Sequence, residues 1–333
     1  MSRGQERREI IEFQRFLEQV VGEALEIKAT DIHFISDNKY CNIKMRINDQ
    51  LVPYKEIKHE FYERLVLYLK FMSNMNLNIS KSPQSSAINI KINNNLMRIR
   101  ISTLPSYDSE SIVLRINHHQ YNGQVGSLLL EPEKEKIFLK YLNQSNGLIL
   151  LTGPTCSGKT TLTYNLLNQL KKQGLSIVTI EDPVENYETG LVQLQVNENA
   201  GVNYDTGVKE ILRHDPDIIF IGEIRDAHTA KSVIRASLTG HVVISTMHST
   251  SALKALFRLL EFGLSRMDLE QTLMLVANQR LVLYKDTKKI VFEYLNQKQI
   301  ISALESLSSN KVFHYRTIDY ILKDYKVEVV MKR

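Results

Sequence analysis

Residues 153–160 have the types and the spacing that bind a nucleoside triphosphate. Their sequence, Gly-Pro-Thr-Cys-Ser-Gly-Lys-Thr, matches the phosphate-loop pattern G-x-x-x-x-G-K-[ST] at every position. In such a loop the backbone N–H groups and the N-terminus of the next helix form an anion site. Lys159 is expected to reach the β- and γ-phosphates of ATP, and Thr160 to bind Mg²⁺. The predicted nucleotide-binding residues are Gly153, Pro154, Thr155, Cys156, Ser157, Gly158, Lys159, Thr160 and Thr161.

The segments on either side of this loop have the order that the motif requires. The apolar run 148–151 predicts a buried strand, and residues 161–167 predict the start of a helix. The alternative is a glycine-rich turn before an ordinary helix. That alternative explains neither the Lys-Thr pair nor its position, so we interpret the loop as a nucleotide site.

Three acidic residues follow the second strand predicted for this part of the chain. Residues 176–180 are strand-like, and Glu181, Asp182 and Glu185 come after them. Ligand sites of parallel sheets lie at the carboxyl ends of the strands, so these carboxylates are expected near the phosphate loop. There they would contact Mg²⁺ through water or position the attacking water. A solvated acidic turn is the alternative.

A fourth carboxylate, Glu223, follows the apolar run 218–221 in the layout of a second nucleotide-binding motif. Glu223 is the candidate general base or water-orienting residue, and it would contact Mg²⁺ partly through water. Gly222 stands where the commonest form of the motif has Asp, so a direct carboxylate ligand from that position is missing. A strand followed by an ordinary charged loop is the alternative.

Two histidines, His241 and His248, flank the strand predicted at residues 242–245. We expect them to sense the γ-phosphate through hydrogen bonds. Purely structural roles are the alternative. A metal site is disfavoured, because neither a cysteine nor a third ligand accompanies the pair.

Three arginines, Arg98, Arg100 and Arg115, lie on strands predicted in the first part of the chain. Arginine binds phosphate through two parallel hydrogen bonds and stabilises charge in the transition state. These side chains could therefore complete a nucleotide site on another domain or subunit. Solvated charge on a sheet face is the alternative.

The hydrophobic periodicity divides the 333 residues into two domains of different class. Residues 1–117 show helical spacing at 10–25 and 61–77 and short alternating strands between, which predicts an α+β domain with an antiparallel sheet. Residues 118–127 lose periodicity and are interpreted as a linker. Residues 128–333 alternate apolar runs with helical segments, which predicts an α/β domain with a mostly parallel sheet, helices on both faces, and a C-terminal extension of a hairpin and two short helices.

The composition of the chain limits which binding partners and which cell compartment we expect. The net charge of +5 is spread along the chain, whereas a nucleic-acid surface would show clustering, so we expect no direct contact with nucleic acid. No apolar stretch approaches a membrane span and no signal peptide is evident, so a cytoplasmic location is expected. The two cysteines, Cys41 and Cys156, are expected to be reduced, and two cysteines cannot build a Cys₄ zinc site.

Taken together, the motifs occur in one order that resembles the type II secretion and type IV pilus assembly ATPases, a RecA-like branch of the phosphate-loop NTPases. The resemblance extends over roughly residues 29–282. It is carried by the segments 29–33, 45–51, 100–105, 153–160, 181–185, 212–217, 222–226, 240–248 and 279–282.

This resemblance implies a PAS-like N-terminal domain before a RecA-like ATPase domain, and a homohexameric ring. Each nucleotide would lie between the C-terminal domain of one subunit and an N-terminal domain. Arg98, Arg100 and Arg115 become candidate γ-phosphate contacts, Glu223 matches the catalytic glutamate, and His241 and His248 match the histidine box. The motor would lie on the inner face of the cell membrane, act on an integral membrane platform protein, and so add pilin-like subunits to a filament.

Departures from the large assembly ATPases indicate a compact subgroup. Residues 283–287 contain no cysteine where those enzymes carry a tetracysteine zinc insertion, so no zinc is expected, and there is no room for their extra N-terminal domain. The compact form is similar to the competence ATPases of Gram-positive bacteria, which power a DNA-uptake pseudopilus. Cys156 replaces the usual Gly, and residues 85–87, Ser-Ser-Ala, replace a common Asp-Gly-Arg, which removes one expected arginine.

Three alternatives remain beside assembly of a competence pseudopilus. A pilus retraction motor would carry a basic motif of Ala-Ile-Arg-Asn type, which residues 288–333 lack. A RecA-like motor acting directly on DNA is disfavoured by the dispersed charge. A non-catalytic scaffold that binds ATP as a switch is disfavoured by the intact Glu223.

Overall fold

The computed structural model describes residues 3–37, 39–47, 50–78, 81–92, 95–106, 109–116, 124–285, 287–309 and 313–325. They form two compact units, one built from the elements up to Ile116 and the other from those that begin at Val125. The predicted linker, 118–127, lies outside the described residues from 118 to 123. Its last residues, from Val125, form a short helix.

The first unit is an antiparallel six-stranded sheet with two helices, as predicted. Strand order is β3-β2-β1-β6-β5-β4, and every neighbouring pair is antiparallel. The elements are α1 (Arg3–Glu26), β1 (Asp31–Ser36), β2 (Tyr40–Ile47), β3 (Gln50–Lys58), α2 (His59–Met72), β4 (Gln84–Ile92), β5 (Asn95–Pro105) and β6 (Glu110–Ile116).

Side chains alternate between the two faces of this sheet, and one face carries the core. In β5, Ile99 and Ile101 are buried in a cluster with residues of α1 and α2, whereas Arg98 and Arg100 lie on the other face. The prediction that the second helix reaches residue 77 was wrong, because α2 ends at Met72. The next residue, Ser73, bonds back to the Leu69 carbonyl through both its N–H and its hydroxyl.

The second unit is a seven-stranded sheet with helices on both faces, also as predicted. Strand order is β13-β12-β7-β11-β10-β8-β9, and only the β12–β13 pair is antiparallel. The elements are α3 (Val125–Leu128), α4 (Glu135–Leu142), β7 (Gly147–Thr152), α5 (Lys159–Lys171), β8 (Ile177–Glu181), β9 (Val192–Gln195), α6 (Tyr204–Ile211), β10 (Ile218–Glu223), α7 (Ala227–Leu238), β11 (Val242–Met247), α8 (Ala252–Glu261), α9 (Arg266–Thr272), β12 (Leu273–Tyr284), β13 (Thr287–Asn296), α10 (Gln297–Ser309) and α11 (Ile318–Tyr325).

Strand β7, an interior strand of this sheet, is buried on both faces, which explains its continuous apolar run. Leu148 and Leu150 pack into one core with residues of α6 to α8, and Ile149 and Leu151 into another with residues of α4 and α5. The strands therefore hold the chain rigidly up to Thr152, where the phosphate loop begins.

Two features of the sheet differ from expectation. The C-terminal hairpin begins at Leu273, earlier than predicted, and its first strand lies directly beside β7. The short edge strand β9 was not predicted, since its four residues alternate too briefly to give a signal. None of the described helices is long and apolar enough to cross a membrane.

Candidate active site

The phosphate loop connects β7 to α5, with the geometry that a nucleotide cradle needs. Gly153 has φ +151° and Gly158, which caps the N-terminus of α5, has φ +86°. A Cβ on Gly153 would lie 2.6 Å from both the Gln279 carbonyl oxygen and Ser157 Oγ, so only glycine fits there. The backbone of the loop is thus free to face a ligand closely, as phosphate binding requires.

Cys156 adopts a left-handed backbone conformation, with φ +61°. Glycine, which the family resemblance leads one to expect here, reaches this conformation without steric cost, whereas cysteine does not. The Cys156 thiol is exposed and is not in a disulfide. The residue therefore keeps the shape of the loop and adds a thiol to it.

Lys159, the first residue of α5, lies inside the loop with 9% of its surface exposed. Its ammonium donates to the carbonyl oxygens of Gly153 at 2.8 Å and of Pro154 at 2.9 Å. These contacts hold the charge among the residues that would surround the phosphates. Thr160 follows in the first turn of the helix and is half-buried.

His248 connects the phosphate loop to the predicted catalytic glutamate. It follows β11, and its Nε2 lies 3.0 Å from Glu223 Oε1. Its Nδ1 lies 3.3 Å from the Gly153 carbonyl oxygen and 3.5 Å from Lys159 Nζ. The ring thus touches both the loop and Glu223, and it can report a change in one to the other.

Arg225 holds the other oxygen of Glu223. Its Nε donates to Glu223 Oε2 at 3.0 Å, and its Nη1 lies 3.4 Å from Asp182 Oδ2. Burial would lower the pKa of the guanidinium, but its hydrogen bond to Glu223 and the negative charges of Glu223 and Asp182 raise that pKa above its ordinary value. Arg225 was missed as a site residue, although it follows Glu223 by only two positions.

The acidic residues after β8 have different surroundings. Glu181 is buried, and its two oxygens accept from the Tyr164 hydroxyl at 2.9 and 2.8 Å, while Thr179 donates to Oε1 at 2.7 Å. These bonds tie β8 to helix α5. Asp182 is about half exposed and meets Arg225, whereas Glu185 is exposed further along the segment. Of the three carboxylates, Asp182 is the one whose described contact reaches Arg225, which also binds Glu223.

The two histidines lie at opposite ends of β11. His241 precedes the strand, its carbonyl accepts from Gly147 N at the start of β7, and its Nδ1 lies 3.1 Å from Thr239 Oγ1. Six strand residues separate it from His248, a distance of roughly 20 Å. The structure therefore does not bring His241 to the phosphate loop of its own subunit.

The three arginines of the first unit share the sheet face opposite the core. Arg100 lies directly across from Arg115 in the register of β5 and β6. The Arg115 Nε donates to Asp31 Oδ1 at 2.8 Å, and Arg46 Nε lies 3.7 Å from Asp31 Oδ2. Burial would raise the pKa of the Asp31 carboxyl, but hydrogen bonds from Arg115 and Thr30 hold it below its usual value.

Polar side chains of β12 form a second set of contacts with the loop. Asn278 Nδ2 donates to Thr152 Oγ1 at 2.8 Å, and Gln279 Nε2 donates to the Ser157 carbonyl at 2.9 Å. Both side chains are fully buried. Their role was missed; the available signal was an Asn-Gln-Arg run inside an apolar strand. No group of three or more His, Cys, Asp or Glu residues in the described part of the chain could hold a metal.

The sequence matches a known family over most of its length. The model of the family described as Type II/IV secretion system protein matches residues 6–317. The chain belongs to this family. With an intact phosphate loop, this family member is a secretion-type ATPase.

Its relatives include competence proteins that match most of the chain. Competence protein ComGA of Bacillus subtilis is 37% identical over 93% of this chain and 93% of that protein. Competence protein ComGA of Halalkalibacterium halodurans is 38% identical over 78% of this chain and 75% of that protein. Type II secretion system protein E of Pseudomonas aeruginosa is 36% identical over 80% of this chain, but over only 54% of its own length.

The fold also matches solved structures. The pilus retraction motor PilT with bound ADP superposes with a TM-score of 0.72 over 95% of this chain and 94% of that one, at 22% identity. The ATPase DotB of Legionella pneumophila superposes with a TM-score of 0.67 over 93% and 95%, at 19% identity. At these identities the likeness concerns the fold alone, and it agrees with an N-terminal domain followed by a RecA-like ATPase domain.

Proposed function

We propose that this ATPase is the motor that assembles a competence pseudopilus for DNA uptake. Similarity to competence proteins over nearly the full length of both chains supports this choice among secretion ATPases.

The observation that carries the hydrolytic part of the proposal is the contact of His248 with both Glu223 and the phosphate loop. Lys159 would neutralise charge on the β- and γ-phosphates, and Glu223 would orient the attacking water and accept its proton. His248 would link the state of the phosphates to Glu223. The two positive-φ glycines and the loop backbone fit a triphosphate.

The residues present also fit Mg²⁺ in a limited way. Thr160 offers a hydroxyl in the first turn of α5, and Glu223 would contact the ion through water. Mg²⁺ would supply neutralisation of phosphate charge when bound. We expect no zinc, which elemental analysis of the purified protein would check.

The assembly we propose is a ring of six copies at the inner face of the cell membrane. In this ring each nucleotide would lie between the RecA-like domain of one subunit, residues 128–333, and the PAS-like N-terminal domain of another, residues 1–117. Residues 118–127 would be the linker within each subunit. Arg98, Arg100 and Arg115 would then contact the γ-phosphate, and their common sheet face supports this role. Its partner would be an integral membrane platform protein, which in turn would add pilin-like subunits.

Hydrolysis and cell experiments test the proposal together. The purified chain should hydrolyse ATP only with Mg²⁺, and Lys159→Ala should lose at least roughly a hundredfold in rate. Its mass in solution should approach six chains when ATP is bound. Deletion of the gene should abolish the filament and DNA uptake. Excess filaments would indicate retraction instead, and hydrolysis stimulated by DNA would indicate a motor acting directly on DNA.

A further inference from the structure

Glu293, a buried carboxylate on β13, joins the N-termini of two helices. It is 4% exposed. Its Oε1 accepts from the Ala252 N–H at 2.8 Å and from the Tyr315 hydroxyl at 3.0 Å, while its Oε2 accepts from the Ile318 N–H at 2.9 Å. Ala252 begins α8 and Ile318 begins α11. Three donors offset the cost of burying the charge, so the group has a fixed position.

Helix α8 begins immediately after the loop that carries His248. The loop consists of residues 248–251, between the end of β11 and Ala252. Since β11 is fixed in the sheet, the bond from Ala252 to Glu293 fixes the other end of a four-residue loop. Ser251 caps α8 from within the loop, through a bond from the Lys254 N–H to its hydroxyl.

Strand β12 holds the middle of the same loop. Asn278 Nδ2 donates to the Ser249 carbonyl at 3.0 Å, and Arg280 Nη2 donates to the Thr250 carbonyl at 2.6 Å. Asn278 also bonds to Thr152, at the start of the phosphate loop. The β12–β13 hairpin thus contacts both the loop that carries His248 and the loop that would carry the phosphates.

We propose that Glu293 is a positioning residue that sets loop 248–251 against the phosphate loop and links it to the C-terminal segment through Tyr315 and Ile318. The inference rests on the proposed function of the ATPase site. It adds Glu293 as a residue that supports this site from outside it. His248 spans gaps of only 3.0 and 3.3 Å to Glu223 and Gly153, so a small shift of the loop breaks one contact or both.

The test substitutes Glu293→Gln and compares it with Glu261→Gln. Glutamine keeps the volume but presents an amide N–H₂ to a backbone N–H that needs an acceptor. Glu261 is the exposed last residue of α8, the helix whose first residue bonds to Glu293. Glu261→Gln therefore makes the same chemical change at the other end of that helix. The measurements are kcat and KM for ATP, the Kd of a fluorescent ATP analogue, and amide exchange over residues 248–252.

For Glu293→Gln we expect kcat to fall by about tenfold to a hundredfold, because the reacting groups are misplaced rather than removed. The analogue Kd should change by less than about threefold, since the phosphate loop is intact. Exchange over 248–252 should rise by about tenfold while that of β11 stays unchanged. Glu261→Gln should behave as wild type in all of these. Unchanged kcat with unchanged exchange, or exchange that rises equally in β7 and β11, overturns the proposal.

Tyr315→Phe provides a milder variant should Glu293→Gln fold poorly. It removes one donor to Glu293 and keeps the ring. We expect a kcat about two- to tenfold lower, with faster exchange confined to 248–252. Wild-type exchange and kcat in this variant would remove the link to the C-terminal segment. A wild-type protein that hydrolyses no ATP refutes the proposed function, while the exchange result still decides the positioning role.

Discussion

Replacing Glu223 by glutamine separates its chemical role from its structural one. The carboxylate accepts from Arg225 Nε at 3.0 Å through Oε2, and His248 Nε2 lies 3.0 Å from its Oε1. Glutamine is neutral and has one acceptor oxygen, so when it keeps the bond from Arg225 it presents an amide N–H₂ to His248. The size of the side chain is unchanged, and the backbone of β10 has no reason to move.

The structure predicts a small loss of stability and a large loss of rate. Glu223 is 20% exposed, and its partners His248 and Arg225 are 44% and 59% exposed, so water replaces much of the lost bond. The free energy of unfolding should therefore fall by no more than about 1 kcal/mol. Loss of a general base costs about 10²- to 10⁴-fold in rate, or roughly 3–5 kcal/mol. The effect on the barrier thus exceeds the effect on stability.

Phosphate release under saturating ATP and Mg²⁺ measures kcat, and a fluorescent analogue measures nucleotide binding. We expect a fall in kcat of at least about a hundredfold with binding altered by less than about threefold. Glu261→Gln serves as the matched control because it is the same change at an exposed site. A variant with kcat within about threefold of wild type would remove Glu223 from catalysis, and equal losses of kcat and binding would make its role structural.

Three further predictions concern single residues. Alkylation of the exposed Cys156 thiol should block turnover, and bound ATP should slow the labelling. Turnover by Cys156→Gly should resist the reagent. Labelling at equal rates with and without ATP would contradict the placement of this thiol beside the bound phosphates. Glu181→Gln should lower the free energy of unfolding by about 1–3 kcal/mol, since it weakens buried bonds to Tyr164, and equal melting temperatures would refute this. Asp31→Asn should cost roughly 1 kcal/mol at pH 7. The folded pKa of Asp31 is lowered, so its stabilisation is present above its ordinary pKa of 3.8 and is lost as pH falls through the folded value. The melting temperatures of variant and wild type should therefore converge in acid, and a constant difference would count against the Arg115 bond.

The phosphate loop could be predicted because its determinants are contiguous. A buried strand, eight loop residues and a helix start follow one another, and the bonds from Lys159 to Gly153 and Pro154 span only five or six positions. Glu223 was predicted as a site residue from its position after an apolar strand, and the structure agrees because β10 and β7 are both parallel to the strand between them.

The separation of the histidines was also within reach of the sequence. Residues that flank a strand of six lie at opposite edges of the sheet, so His241 and His248 cannot meet in one subunit. Pattern matching grouped them because they belong to one motif. The strand geometry assigns only His248 to the edge where the phosphate loop begins.

The residues that support the site could not be predicted from the sequence, because their hydrogen bonds join distant positions. Their side chains also look like ordinary polar residues within a strand. The bond between Asn278 and Thr152 spans 126 positions, and that between Glu293 and Ala252 spans 41. Neither follows from periodicity, since both require the position of β12 beside β7. Nucleotide binding thus depends mainly on a local loop, whereas the placement of His248 depends on the C-terminal hairpin. It follows that substitutions in β12 and β13 that keep the fold should lower turnover more than ATP affinity, while substitutions in the phosphate loop should lower both.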